Sequence, residues 1–173
     1  MTVSVFAYAA NGGNIEHGVT LDAAGNLYGT TMNGGPLDYG VVFKLTKQSD
    51  GTWAESVLHF FQGGSGGRGP GSGVTFDEDG NLYGVTVAGG VPCAGRAAGC
   101  GTVYKLTPQP DGTWEHKVIY AFSGIEGDIR GTELTFDTAG NLYGFSSVGN
   151  TTCGGVGFRL RPKRDGGRAE EIK

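Results

Sequence analysis

No apolar run in this 173-residue sequence is long enough to span a bilayer, and no basic segment followed by an apolar stretch opens it. A membrane-spanning segment is therefore not expected. The chain reads as soluble, either cytosolic or a mature or excised piece of an exported protein. Charge is scarce: 13 Lys and Arg against 17 Asp and Glu leave a formal net charge of −4. Outside the tail there is no basic patch interleaved with aromatics, which argues against nucleic acid as a partner. Proline is sparse at six residues and cysteine at three. Cys93 and Cys100 flank Ala-Gly-Arg-Ala-Ala-Gly, a spacing open to a small disulfide loop with Cys153 left over, and open equally to three reduced thiols. A three-cysteine metal site fits poorly, because Cys153 stands a full repeat away without compact ligand spacing.

Glycine, in contrast, is abundant at 35 residues. An excess of proline, serine and glutamine alongside it would signal low complexity; here the glycines punctuate short runs of Val, Phe, Tyr, Leu and Thr. Many short strands joined by tight turns explain that pattern. The turns themselves repeat. Asp22-Ala23-Ala24-Gly25-Asn26-Leu27-Tyr28-Gly29 returns as Asp77 to Gly84 and again as Asp137 to Gly144, at offsets of 55 and 60 residues. Self-similarity at such a period marks a propeller or solenoid.

Each repeat reads as four strands. The first is Gly18 to Asp22, echoed by Gly73 to Asp77 and Glu133 to Asp137. An Asp-x-x-Gly-Asn turn follows, in which Asp bonds back to the backbone while Gly and Asn accept positive φ. Asn-Leu-Tyr-Gly is the second strand. The third is Val41 to Leu45, Thr102 to Leu106 and Val156 to Leu160, where apolar residues alternate with Lys or Arg. Turns at Asp50-Gly51-Thr52-Trp53 and Asp111-Gly112-Thr113-Trp114 introduce the fourth, Ser56 to Phe61 and Lys117 to Phe122. The expected fold is all-β, with three propeller-type blades of four antiparallel strands in one repeat domain spanning 1–173: a leading outer strand in 1–13 (Val3 to Ala10), then blades at 14–64, 65–124 and 125–173. The third blade is expected to have a stunted outer strand, since Arg168 replaces the tryptophan of its turn. Three blades do not readily close a ring, because propellers have 4–8. The expectation is a homodimer of two arcs completing six blades, each N-terminal strand finishing the partner's third blade; a fragment of a longer propeller is the rival.

Gly-Asn-Leu-Tyr-Gly followed by a Gly-Gly loop and Gly-Val-Val-Phe-Lys-Leu or Gly-Thr-Val-Tyr-Lys-Leu resembles the GloVer-type tandem repeats of large bacterial exported proteins. The resemblance runs over nearly the whole chain and implies a β-propeller-like fold with an extracellular or cell-surface origin. It implies no defined reaction.

With the repeat as a ruler, residues present in one copy only become the candidates for function. The short, regular turns fall on one face of the blades, and the long, divergent loops on the other, where binding groups reside. Just before the first strand, His17 stands where Ser72 and Thr132 do, and Glu133 replaces Gly18 and Gly73. Imidazole and carboxylate at the channel mouth suit a divalent metal ion or an acid–base pair. Asp38 and Tyr39 in the first blade's loop, Arg68 in the next, and Asp128 and Arg130 beside Glu126 are candidate ligand-binding residues for a small molecule or glycan. His59 and His116 read as packing or surface residues of outer strands. Two functions follow: a ligand-binding or structural module that uses the loop face and channel mouth, or a hydrolase of esters, lactones or phosphoesters with His17 and Glu133 as metal ligands or catalytic pair.

Overall fold

The structure, a computed structural model, describes residues 13, 15, 17–93, 95–124, 132–146, 156–162 and 168–172. It is built of three antiparallel sheets and, among the described residues, no α-helix. The first sheet joins β1 (Thr20–Leu21), β2 (Leu27–Thr31), β3 (Val41–Lys47) and β4 (Trp53–Phe60) in chain order. The second contains β5 (Arg68–Pro70), β6 (Thr75–Phe76), β7 (Leu82–Ala88), β8 (Thr102–Pro108) and β9 (Trp114–Ala121). Both β5 and β6 pair with β7, one beyond the other along that strand. The third runs β10 (Thr135–Phe136), β11 (Leu142–Phe145), β12 (Gly157–Pro162) and β13 (Arg168–Ile172). All three fit the four-strand pattern expected of blades. One element differs from expectation: the sequence offered no sign of β5. The third sheet's outer strand, β13, has five residues against eight in β4 and β9, and pairs with β12 from Phe158↔Ile172 to Pro162↔Arg168. The proposed leading strand, Val3 to Ala10, lies outside the described residues.

The repeated octapeptide is a self-contained hydrogen-bonding unit. The Asp77 carboxylate accepts from the Asp79 and Asn81 amides at 3.0 and 2.9 Å, from the Asn81 side chain at 2.8 Å and from the Tyr83 hydroxyl at 2.8 Å. Asp22 and Asp137 do the same in their own turns, reaching Tyr28 at 3.1 Å and Tyr143 at 3.0 Å. Gly25, Gly80 and Gly140 sit at φ 80, 79 and 74°, which only glycine adopts freely. The octapeptide's last glycine has a different duty. Gly29, Gly84 and Gly144 pair across the sheet with Phe43, Tyr104 and Phe158, whose rings lie so close over them that any Cβ would overlap the ring.

The core lies between sheets. Tyr28, Val42 and Phe61 of the first pack against Val74, Leu82, Tyr104 and Leu106 of the second. Tyr83, Val103 and Phe122 of the second pack against Leu134, Leu142, Phe158 and Leu160 of the third. These are the same repeat positions used twice. Each sheet thus presents one face forward and the opposite face backward, and successive sheets stack in one sense.

Candidate ligand-binding cleft

Between the first and second sheets, on the side of the long loops, lies a cleft of about 360 Å³ lined by Tyr39, Gln62, Ser65, Arg68, Pro92 and Ala98 among others. Its floor follows from glycine. The chain leaves β4 through Gly63 and a 3-10 turn at Gly64–Gly66, with φ of 76° and 59° at Gly63 and Gly64. It then enters β5, whose Arg68 pairs with Ala88. The Gly69 amide donates to the Tyr39 carbonyl at 2.8 Å and so ties β5 to the first sheet's loop. That tether sets the Arg68 guanidinium over the Tyr39 ring, 5.2 Å from its centroid, a cation–π stack.

The opposite wall is braced covalently. Cys93 and Cys100 are disulfide-bonded, with Cα atoms 5.9 Å apart, which resolves in favour of the bridge the choice that the spacing left open. Cys93 and Arg96 exchange backbone hydrogen bonds within the loop. The Gly89 amide donates to Ala98 and the Gly90 amide to Gly64, joining the braced loop to the glycine turn. Both walls are therefore fixed by backbone, and the side chains facing the cleft are left to meet a ligand. Among the described residues no carboxylate forms an ion pair with Arg68.

The family described as the Gloeobacter/Verrucomicrobia repeat matches residues 1–169. The chain belongs to it. None of the curated proteins and none of the solved structures matches the chain. In this member of the Gloeobacter/Verrucomicrobia repeat family, the residues singled out from sequence fall into three groups. Tyr39 and Arg68 come together in the cleft. Asp38 does not join them: it is exposed, holds φ 56° and spends a carboxylate oxygen on the Gly34 amide at 2.7 Å. Its single-copy status reflects a turn. Asp128 and Arg130, with Glu126, lie outside the described residues, as does Cys153.

His17 and Glu133 form the third group. Glu133 is exposed and lines a narrower cleft of about 240 Å³ beside Gly18 and Gly73, where the innermost strands of the three sheets converge. His17, half-buried, precedes Gly18 in the chain, and its Nε2 is buried without a hydrogen-bond partner. Among the described residues no group of three or more His, Cys, Asp or Glu is placed to hold a metal ion. A wider opening, about 590 Å³, lies among the turns at Asp77 to Asp79 and Asp137 to Ala139. The Asp77 and Asp137 carboxylates there are already committed to their own turns.

The two outer-strand histidines pack, one of the two roles expected of them, but nothing in the sequence signals that they meet. His59 on β4 and His116 on β9 stack across the first inter-sheet seam, ring centroids 4.2 Å apart and planes within 5°. Burial holds both imidazoles well below their usual range, at about 4, and for His59 the neighbouring His116 adds to the depression. Their repeat positions differ, since His59 stands where Tyr120 does and His116 where Glu55 does. Comparing equivalent residues therefore never set the two side by side.

Proposed function

We propose that the chain is a ligand-binding β-propeller-type module whose cleft beside Tyr39 and Arg68 takes a small glycan or other small polar molecule carrying an anionic group. The observation that carries this reading is the Arg68 guanidinium stacked on Tyr39 in a walled cleft, without a carboxylate partner among the described residues. An aromatic face under a planar cation offers an apolar platform together with a bidentate donor for a carboxylate. Gln62 and Ser65 add groups for hydroxyls. The disulfide and the family resemblance support an exported origin. The finer architecture belongs to the same proposal: two three-blade arcs close a six-bladed ring as a homodimer, with a mass twice the 17.9 kDa of the chain.

Calorimetric titration with neutral and uronic-acid oligosaccharides tests the site. Saturable binding of an acidic oligosaccharide, weakened at least tenfold in Arg68→Ala and Tyr39→Ala, is expected. Equal binding by both variants and the parent chain would sink it.

The hydrolase reading keeps one specific support, the partnerless buried Nε2 of His17 beside the cleft that Glu133 lines. Its metal version requires a further donor beside His17 and Glu133, since among the described residues no third His, Cys, Asp or Glu groups with them. Esterase activity lost in His17→Ala and Glu133→Gln, with Arg68→Ala unaffected, would favour this second reading over the first.

A further inference from the structure

We infer that the inner rim of the first sheet's backward face, around β1, and the inner rim of the third sheet's forward face, at Tyr143 and Phe145, are two halves of one joint, each covered by the other half from a second copy of this chain. This rests on the homodimer reading and names the surfaces that make it. The joint is already seen twice within the chain. Tyr28 meets Phe76 edge-on with ring centroids 5.0 Å apart, and Tyr83 meets Phe136 in the same way at 5.0 Å. The third tyrosine of the series is Tyr143, and the residue equivalent to Phe76 and Phe136 in the first sheet is Leu21.

Exposure at equivalent positions shows which faces remain open. Val74 and Leu134, inside the two joints, are 4% and 7% exposed, whereas Val19 at the same position of the first sheet is 47% exposed. Leu21 is 62% exposed. At the other end, Phe145 is 69% exposed where its equivalent Val85 is fully buried in the second joint. Phe43 in the middle of the first sheet is closed over, so the open part of that face is its inner rim around β1.

The two open rims are not alike. One is a forward face carrying Tyr143 and Phe145, the other a backward face carrying Val19 and Leu21. At the rims that is the pairing the chain repeats inside itself, so a second copy supplies the complement of both rims, while Phe43, at the place of Tyr104 and Phe158, is already covered. Contacts of this head-to-tail kind close into a ring when the rotation permits. Two arcs of three sheets related by a two-fold axis form two such joints.

Sedimentation of the full chain from about 1 to 100 μM is the test. The parent chain is expected to be a dimer, and Leu21→Asp and Phe145→Asp are each expected to raise its dissociation constant at least tenfold. Leu37→Asp, at an exposed apolar loop position away from both rims, should leave it unchanged. Circular dichroism reports folding, and all three sites are solvent-exposed in the chain. Mixing Leu21→Asp with Phe145→Asp chains should restore association, because one of the two joints is then intact on both sides. A parent chain monomeric at 100 μM would overturn both the ring and the joint. A dimer indifferent to both substitutions would overturn the joint alone, leaving the homodimer with another interface. Failure of the mixed variants to recover would overturn the head-to-tail pairing. An assembly larger than a dimer, dissolved by both substitutions, would keep the joint and overturn closure at six blades.

Discussion

Asp77 shows how one repeated carboxylate can hold a turn without any part in binding. Burial pushes its acid up, yet hydrogen bonds from Asn81 and Tyr83, with Lys105 nearby, outweigh burial and keep it below the ordinary carboxylate value. Asp77→Ala removes the acceptor and leaves the Asn81 and Tyr83 groups short of a partner, at a cost of about 3 kcal/mol. Urea unfolding should show that loss with little change in slope. The stacked histidines give a second residue-scale prediction. Both imidazoles have folded-state values near 4, below the ordinary 6.5. The unfolded chain therefore takes up protons first as pH falls. Stability should be whole above about pH 6.5 and decline between there and pH 4. With the partial exposure of the rings discounted, the decline amounts to roughly 2 kcal/mol per imidazole. The groups around the stack are Phe61, which meets both rings edge-on, and Tyr104, whose buried hydroxyl has no hydrogen-bond partner; neither supplies an anion to relieve it. His116→Phe should remove about half of the acid dependence between pH 6.5 and 4, as read from unfolding midpoints. An unchanged pH profile in that variant would mean that the pair does not set the window.

At the scale of elements, the sequence was most legible where local chemistry decides the structure. Asp-x-x-Gly-Asn predicts its own turn because the carboxylate bonds within six residues. Val41 to Leu45 forms the expected strand, but the wet face that its alternation suggested is not there: Val41, Val42 and Phe43 are consecutive and all buried, so both faces of β3 are covered at that end. What stayed illegible depended on distant partners. The strand β5 exists because β7 runs past β6 and offers unpaired backbone to Arg68 and Pro70, which no pattern in Arg68-Gly69-Pro70 announces. Arg68 and Tyr39 each stand out as single-copy residues, but their meeting depends on the Gly69 tether to Tyr39. The glycine under each aromatic ring was missed for the same reason, since its partner lies one strand over. The braced loop carries the prediction at this scale. Opening the Cys93–Cys100 loop by Cys93→Ser with Cys100→Ser should cost about 2–3 kcal/mol, from the freedom returned to the unfolded chain. Ligand affinity should fall along with it, because Pro92 and Ala98 are carried by that loop. An affinity equal to that of the parent chain, measured at a temperature where both are folded, would show that the wall forms without the bridge.

The whole molecule is a stack of sheets joined by one kind of contact, so its stability has the character of a repeat array: intrinsic sheet stabilities plus nearest-neighbour seams. Two seams are internal, the first between sheets one and two and the second between sheets two and three. In a closed six-bladed ring two more seams form between copies, and unfolding then releases two chains from one dimer. Mass action makes that transition depend on concentration, because dilution favours the dissociated unfolded state. Each tenfold rise in protein concentration is worth about 1.4 kcal/mol to the dimer. Spread over the unfolding entropy of two chains of this length, that is a rise of about 2 °C in midpoint per decade. Calorimetry across two decades should therefore show a climb of about 4 °C for the parent chain and, at concentrations below the raised dissociation constant of Leu21→Asp, a flat line for that variant. A parent midpoint that does not move with concentration would mean that the seams between copies contribute nothing to holding the sheets together.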